Sequence, residues 1–426
     1  MLATLTNKLR WSYRKNAPDL FALLTRNYPS FVTARKPEPL REEIPVFTFH
    51  TVEPVAFEAQ LQYLARNGYR TLSGAEFQMA VAGEIKIPEK SVVLTFDDGR
   101  ASLWSVAFPL LQKYGFCAVS FIIPGLISEY ATPAKTYENY LAGEATVEDL
   151  LARERSAEPL CSWEEIYAMH ESGVIDFQSH TRYHHQVCVS PQVVDFMHPN
   201  FSKYFFGNIN VPVYRENGEL NYGRELPLGA PIYRSEPRMT GRLAYWDDEN
   251  LRQACVDYAR QEGGASFFQQ SDWRKKLAAF HQTESKKAKH ARLEKTSEQH
   301  RALLDDLAES KRIIEEMLPN KVVEQFCYPW FMGSPLAVRL SKEAGYKVNY
   351  WGIVPSRATN RARQSLYYVP RIEDFYIYRL PGAGRQRLRD LLKAKVKNYL
   401  PGFAAQLKES DQLAVTSDQS LVVSDQ

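Results

Sequence analysis

Two continuous apolar segments constrain the fold of this chain more than any other feature. Residues 91–96 (SVVLTF) and 117–123 (CAVSFII) are apolar on both faces of an extended strand. This pattern fits strands buried inside a parallel sheet better than half-exposed antiparallel strands. A helical pattern at about 101–114 separates them, and similar strand and helix units recur at 44–72 and 322–372. The alternation predicts an α/β fold, either a barrel or an open parallel sheet.

The chain is longer than one average domain, but a single barrel with insertions accounts for most of its 426 residues. The regular alternation is interrupted by a segment rich in Pro, Tyr, Asn and Gly, and then by a long charged helical pattern. The predicted organisation is a basic N-terminal arm at 1–43, a barrel at 44–380 with an insertion at about 187–280 and a long helix at about 283–317, a basic amphipathic helix at 381–408, and a disordered tail at 409–426.

Composition and charge narrow the class of protein. The hydrophobic fraction of 44% and the charged fraction of 24% are those of an ordinary globular protein. A net charge of +3 is too small to predict nucleic-acid binding. The five cysteines are scattered without a C-x-x-C pair, which favours reduced thiols. Since there is also no secretion-signal pattern and no apolar run of 18 residues, we expect a cytoplasmic protein.

Both ends of the chain are basic. Residues 1–36 contain seven Lys or Arg and one Asp, and residues 385–400 combine an apolar stripe with six Lys or Arg. Two interpretations are open for these ends. They form a solvated arm and a helix docked on its own domain, or they make peripheral contact with the anionic inner face of a membrane.

Two short motifs contain groups that carry chemistry. Asp97 and Asp98 are adjacent at the end of a buried strand, where two negative charges repel unless a cation or a proton intervenes. His180 and His184 follow another predicted strand, and a turn can present both imidazoles to one ion. One Asp and two His leave coordination positions open, which indicates a catalytic metal site. Either motif alone is equally typical of an ordinary turn or a surface histidine pair.

At these residues the sequence resembles the polysaccharide deacetylase family, the NodB-homology domains of carbohydrate esterase family 4. The family motif T-F-D-D-G stands at 95–99, and the motif H-[ST]-x-x-H stands at 180–184. The resemblance covers roughly residues 44–125, 160–186 and 300–375. It implies a distorted (β/α) barrel with a long insertion, a divalent metal, foremost Zn²⁺ with Co²⁺ or Ni²⁺ as alternatives, and hydrolysis of an N-acetyl group.

The resemblance also implies a role for the motif residues. Asp98, His180 and His184 would hold the metal, and Asp97 would take the proton of the attacking water. The family's acid is normally a histidine near the C-terminus, but no histidine follows position 300. His50, at the end of the first predicted strand, is our candidate for that acid. The alternative is that it only packs near the barrel mouth.

The third family motif, R-x-P-[YFW], reads Cys327-Tyr328-Pro329-Trp330 in this chain. The arginine that normally orients the base is therefore missing, and Arg371 is our candidate substitute, with a surface salt bridge as the alternative. Tyr328, Pro329 and Trp330 are predicted to contact substrate, although aromatic residues are equally common in a core. Cys327 is interpreted as a buried structural thiol, because no motif histidine would activate it as a nucleophile.

These observations favour a metal-dependent hydrolase that removes N-acetyl groups from an amino sugar in a polysaccharide or oligosaccharide. One alternative is a deacylase or deformylase of a lipid-linked sugar, which the basic ends and the missing secretion signal favour. A second alternative is a non-catalytic carbohydrate-binding protein on the same fold, which the departures from the third and later motifs favour. The expected partner is an N-acetylated glycan or lipid-linked sugar, with no nucleic acid.

Overall fold

A computed structural model describes residues 21–22, 24–25, 27–201, 209–223, 225–354 and 357–395. Most of the predicted basic arm and all of the predicted tail at 409–426 lie outside these residues. The strands, numbered in chain order, are β1 (Val46–Phe49), β2 (Arg70–Thr71), β3 (Ser91–Asp98), β4 (Ala118–Ile122), β5 (Ile175–Ser179), β6 (Gln186–Phe196), β7 (Tyr214–Glu216), β8 (Glu219–Asn221), β9 (Pro231–Pro237), β10 (Tyr245–Trp246), β11 (Arg292–Leu293), β12 (Gln325–Cys327), β13 (Val348–Tyr350) and β14 (Ile372–Glu373).

Eight of these strands form one sheet in the order β13-β12-β5-β4-β3-β1-β14, with β2 paired to the beginning of β3. Every strand pair in this sheet is parallel. The two edges of the sheet meet because Val369, just before β14, forms a parallel bridge with Tyr350 of β13. The predicted distorted (β/α) barrel is therefore confirmed.

Helices cover the outside of the barrel and also occur in the insertion. Their bounds are Ser30–Thr33, Pro54–Arg66, Gly74–Ala82, Phe108–Tyr114, Tyr137–Leu141, Val147–Leu150, Trp163–Glu171, Glu249–Gln261, Trp273–Glu284, Thr296–Met317 and Pro335–Glu343. The helices Gly74–Ala82 and Trp163–Glu171 are examples that begin at capping boxes, Ser73 with Glu76 and Ser162 with Glu165. Each box satisfies backbone N–H groups that the first helical turn leaves unpaired.

The buried strand β3 shows how the sheet separates two apolar layers. Val92, Leu94 and Phe96 pack in the large core under the outer helices. Val93 packs in the smaller core inside the barrel. Because side chains alternate along a strand, Asp97 lies on the same face as Val93 and points toward the barrel interior.

The insertion begins at β6, directly after the H-T-R-Y-H motif, and forms small sheets and helices with cores of their own. It continues to β11, beyond the predicted end near 280, and the prediction of one long helix from about 283 is wrong. Residues Arg292–Leu293 instead pair with Tyr245–Trp246 as antiparallel strands. The long helix therefore begins at Thr296 and ends, as predicted, at Met317.

The described parts of the two chain ends pack on the barrel. Phe31 and Val32 of the helix Ser30–Thr33 are buried, and the Arg385 guanidinium donates to the carbonyls of Phe31 and Ala34. Residues 388–395 are helical, with Leu391 buried against the domain. The remainder of the predicted amphipathic helix, 396–408, is outside the described residues.

Within the part of the chain that the structure describes, no helix is both long and apolar enough to cross a membrane.

A buried ion pair closes the insertion. Arg238 donates from Nη2 to Oε2 of Glu294 at 3.0 Å, and Oε1 of Glu294 also accepts the N–H of Ala244 at 2.7 Å. Both charged side chains are almost completely buried. Removing one partner of such a pair leaves an uncompensated buried charge.

We therefore predict that Glu294→Ala lowers the free energy of unfolding by about 3–5 kcal/mol. The matched control is Glu316→Ala, which removes an exposed ion pair with Arg312 and should cost at most about 1 kcal/mol. Urea unfolding followed by circular dichroism measures both changes. Equal losses in the two variants would contradict the assignment of the Arg238 pair as the element that closes the insertion.

Candidate metal centre

The candidate site lies at the mouth of the barrel, where the carboxyl ends of four parallel strands meet. His50 follows β1, Asp97 and Asp98 end β3, His180 follows β5, and Tyr328 follows β12. Barrels of this class place their functional groups at this end, since loops after the strands can vary without disturbing the core. The fold thus brings together segments that are up to 278 residues apart in the sequence.

Asp98, His180 and His184 form a compact group. Oδ1 of Asp98 lies 3.5 Å from Nε2 of His180 and 3.7 Å from Nε2 of His184. All three residues are buried. One carboxylate oxygen and two imidazole nitrogens are a ligand set suited to Zn²⁺ or a similar ion, with coordination positions left for water and substrate.

The surroundings of Asp98 fit a bound cation. Its Oδ1 atom is buried and has no hydrogen-bond partner among the described residues. Burial and the neighbouring Asp97 carboxylate raise the pKa of Asp98 to about 7. A divalent ion between Asp98 and the two imidazoles would compensate both effects. Burial also lowers the pKa of His180, which favours the neutral imidazole that binds metal.

The backbone at this centre adopts conformations that are uncommon for residues with side chains. Asp98 has φ 71° and His184 has φ 45°, both in the left-handed region. Trp330 and Phe331, at the third motif, follow one another there with φ 52° and 61°. Such strained positions concentrate at functional sites, because the rest of the fold must hold them in place.

Asp97 differs from Asp98 in its partner. Arg371 grips its carboxylate with two hydrogen bonds, Nη1 to Oδ1 and Nη2 to Oδ2, each 2.7 Å long. Burial alone would raise the pKa of Asp97, but the charge and hydrogen bonds of Arg371 outweigh it and hold the pKa below its usual range. Asp97 is therefore a carboxylate anion in a fixed orientation. Arg371 is buried, so the alternative of a surface salt bridge does not hold.

The guanidinium of Arg371 uses all five of its N–H donors. Besides the two bonds to Asp97, it donates to the Thr95 hydroxyl at 3.0 Å, the Trp351 carbonyl at 3.2 Å and the Cys327 sulfur at 2.8 Å. Burial raises the pKa of the Cys327 thiol well above its usual range. This supports the interpretation of Cys327 as a structural thiol, because a nucleophilic cysteine needs a lowered pKa.

His50, Trp330 and Phe331 line the mouth. Nε2 of His50 lies 4.0 Å from Oδ2 of Asp97, and the histidine side chain is 48% exposed. Its ring faces Phe331 edge to face at 6.3 Å. The Trp330 ring lies 4.1 Å from that of His184. These residues can therefore contact a ligand at the metal centre.

The prediction that Tyr328 and Pro329 contact substrate is not supported by their positions. Tyr328 is fully buried, its ring packs on Trp351, and its hydroxyl accepts a hydrogen bond from Asn349. Pro329 is also buried. The third motif begins at a strand end in the core. Only its last residue, Trp330, and the following Phe331 therefore reach the mouth.

Sequence reasoning missed a buried ion pair next to the D-D-G turn. Arg100 donates from Nε to Oε2 of Glu154 at 2.8 Å, and the same carboxylate accepts the N–H of Ser102 at 2.8 Å and the hydroxyl of Thr51 at 2.9 Å. The position of Arg100 directly after the motif was an available signal. Glu154 lies 54 residues further on, and no pattern marks it.

The fold and the site define a parallel α/β barrel with a buried Asp-His-His centre at its carboxyl end. Residues 84–203 match the family model described as polysaccharide deacetylase. This match confirms the resemblance inferred from the motifs, and it spans both the T-F-D-D-G and the H-T-R-Y-H segments.

Individual proteins show the same relationship. A poly-beta-1,6-N-acetyl-D-glucosamine N-deacetylase of Escherichia coli K12 is 32% identical over 133 residues, which are 31% of this chain and 18% of that protein. The protein of the same name from Staphylococcus aureus MRSA252 is 25% identical over 32% of this chain and 39% of its own length. The matches thus span less than half of the length of each of these relatives.

Among solved structures, the chain is similar to a de-N-acetylase from Aggregatibacter actinomycetemcomitans, with a TM-score of 0.46, 17% identity, and coverage of 78% of this chain and 95% of that chain. It is also similar to IcaB from Ammonifex degensii, with a TM-score of 0.42, 17% identity, and coverage of 78% and 91%.

The geometry predicts one metal ion per chain. We expect His184→Ala to lose stoichiometric Zn²⁺ after dialysis, because it removes one of three protein ligands. The control is His185→Ala, since His185 is also buried but does not belong to the Asp98 group. Elemental analysis of the purified proteins measures the metal content. Loss of metal from the His185 variant with full retention in the His184 variant would contradict the ligand assignment.

Proposed function

We propose that this chain is a metal-dependent hydrolase that removes N-acetyl groups from an amino sugar in a polysaccharide or oligosaccharide. The observation that carries the proposal is the pairing of two adjacent carboxylates with different partners. Asp98 faces two imidazoles, and Asp97 is held as an anion by Arg371. A metal ligand beside a fixed base is an arrangement that can hydrolyse an unactivated amide.

When bound, a divalent ion would acidify a water molecule and polarise the acetyl carbonyl. Asp97 acts as the general base that accepts the proton of the attacking water. The low pKa of this carboxyl keeps it ionised, and the Arg371 grip fixes its orientation toward the mouth. Because all five N–H donors of Arg371 are hydrogen-bonded to fixed partners, little reorganisation of the base is needed during the reaction.

His50 supplies the acid in this proposal. Its imidazole lies on the mouth side of Asp97 and is half exposed, so it can reach the nitrogen of a bound acetamido group. Protonation of the leaving amine there completes the hydrolysis, giving acetate and a free amino sugar. Trp330 and Phe331 exclude water beside the site and offer aromatic faces to a sugar ring.

The substrate class rests on the relatives. Two of them are named for deacetylation of poly-β-1,6-N-acetyl-D-glucosamine. We propose an N-acetylglucosamine polymer or oligomer as the substrate of this chain, with Zn²⁺ as the metal. The ligand set of one carboxylate and two imidazoles is compatible with Co²⁺ and Ni²⁺ as well.

The base is tested by Asp97→Asn, which we expect to keep the metal and to lower turnover by about 10²–10⁴-fold. The amide retains the shape of the carboxylate but cannot take up the proton. Because the change leaves the charge of Arg371 without its anion, thermal unfolding is measured alongside acetate release and metal content. Asp305→Asn, at an exposed position, is the control. A folded, metal-loaded Asp97→Asn protein with full turnover would remove Asp97 from this role.

The substrate is tested by acetate release from N-acetylglucosamine oligomers, acetylated lipid-linked sugars and free N-acetylglucosamine, each with and without a chelator. We expect chelator-sensitive release from the oligomers. Release confined to the lipid-linked sugars would favour the alternative deacylase, with formate measured on the formylated analogues. Binding of glycan with no acetate from any metal-loaded sample would favour a carbohydrate-binding protein.

A further inference from the structure

We propose that Asp306, in the long helix Thr296–Met317, is a positioning residue of the metal centre. Its carboxylate accepts a hydrogen bond from the backbone of the H-T-R-Y-H turn, and so fixes the position of His184 relative to Asp98. This inference rests on the proposed metal site. It adds a residue to which neither the motifs nor the comparisons assign a role.

The turn that carries the two histidines is strained and needs support. Thr181 has φ 67° and His184 has φ 45°, two left-handed positions within four residues. Each such conformation is energetically unfavourable for a residue with a side chain and persists only where the surroundings impose it. One hydrogen bond inside the turn, from the His184 N–H to the Thr181 hydroxyl at 3.0 Å, links the two positions.

The peptide groups of Arg182, in the middle of the turn, are held from both sides. The Arg182 N–H donates to Oδ1 of Asp306 at 2.9 Å. The Arg182 carbonyl accepts the N–H of Gly125 at 2.8 Å. A Cβ atom at Gly125 would lie only 2.6 Å from that carbonyl, so the loop after β4 approaches as closely as glycine permits. Asp306 and Gly125 therefore clamp the turn between them.

The carboxylate of Asp306 is energetically unfavourable at this buried position. It is 7% exposed, and burial raises its pKa to about 6. Its second oxygen, Oδ2, has no hydrogen bond among the described residues and lies 3.9 Å from Nδ1 of His185. A buried carboxylate with an unsatisfied oxygen destabilises the folded state. We attribute the presence of Asp306 to geometry, because a side chain at this position must reach the N–H of Arg182.

The position of Asp306 also connects the barrel with the insertion. The insertion leaves the barrel directly after His185, and the chain returns through the helix that contains Asp306. The carbonyl of His185 accepts the N–H of Arg238, which belongs to the far side of the insertion. The metal-ligand turn is thus enclosed by both ends of the insertion. A loss of this support would displace His184 without unfolding the barrel.

The experiment measures zinc affinity by competition with a chromophoric chelator for wild type, Asp306→Ala, Asp306→Asn and Asp305→Ala. We expect Asp306→Ala to bind Zn²⁺ about 10–100-fold more weakly, as for other groups that orient metal ligands. Asp306→Asn should restore most of the affinity, since its amide oxygen can accept the same N–H. Asp305→Ala, one residue away and exposed, should match wild type. Circular dichroism of the metal-free proteins reports folding separately.

Equal zinc affinity in Asp306→Ala and Asp305→Ala would overturn the proposal, as would an Asn variant no better than the Ala variant. If Asp306→Ala does not fold, Asp306→Ser replaces it, because the shorter hydroxyl does not reach Arg182 from the helix. Failure of the proposed metal site gives a different result, because wild type itself would bind no zinc; failure of the proposed activity alone would leave zinc bound to wild type but release no acetate. The absorption spectrum of the Co²⁺ form adds a readout of ligand geometry, which a loss of stability alone does not change.

Discussion

Two carboxylates that are adjacent in sequence and buried at the end of one strand are the constraint on which the site depends. Asp97 and Asp98 cannot both be ionised in a buried environment unless positive charge is supplied to each. The structure supplies it in two ways. Arg371 neutralises Asp97 directly, whereas Asp98 faces two imidazoles that could share a bound cation with it. The proposed roles of Asp97 as base and Asp98 as metal ligand rest on this division.

The division follows from the pleat of the strand and from the strand order of the sheet. Side-chain alternation turns Asp97 inward, and Arg371, just before β14, reaches it from two strands away, past β1. The left-handed conformation at Asp98 turns its side chain toward the loops after β5. In an open sheet, Cys327 of β12 and Trp351 after β13 would lie near the opposite edge from Arg371. Closure of the barrel therefore supplies two of the five hydrogen-bond acceptors that hold Arg371.

Much of this arrangement follows from sequence. The apolar runs predicted β3 and β4, because two-sided hydrophobicity is typical of buried parallel strands. The two motifs predicted the group of Asp98, His180 and His184, since residues after parallel strands meet at one end of a barrel. Their roles in binding metal stay predictions.

Other features could not be obtained in this way. The burial of Tyr328 depends on where β12 ends, and the R-x-P motif pattern carries no information on that point. The start of the long helix is set by the pairing of β10 with β11, a contact over about 47 residues. Glu154 and Asp306 act through hydrogen bonds with residues that are distant in the sequence. No periodicity records such contacts, so only the folded chain reveals them.

The central claim is that Asp98, His180 and His184 bind one ion, and it is tested most directly by anomalous X-ray diffraction at the zinc edge from crystals grown with Zn²⁺. The account predicts one strong anomalous peak per chain, at about 2.0–2.2 Å from one oxygen of Asp98 and one nitrogen of each histidine. A peak located elsewhere, with these three side chains unligated at full zinc occupancy, would contradict it.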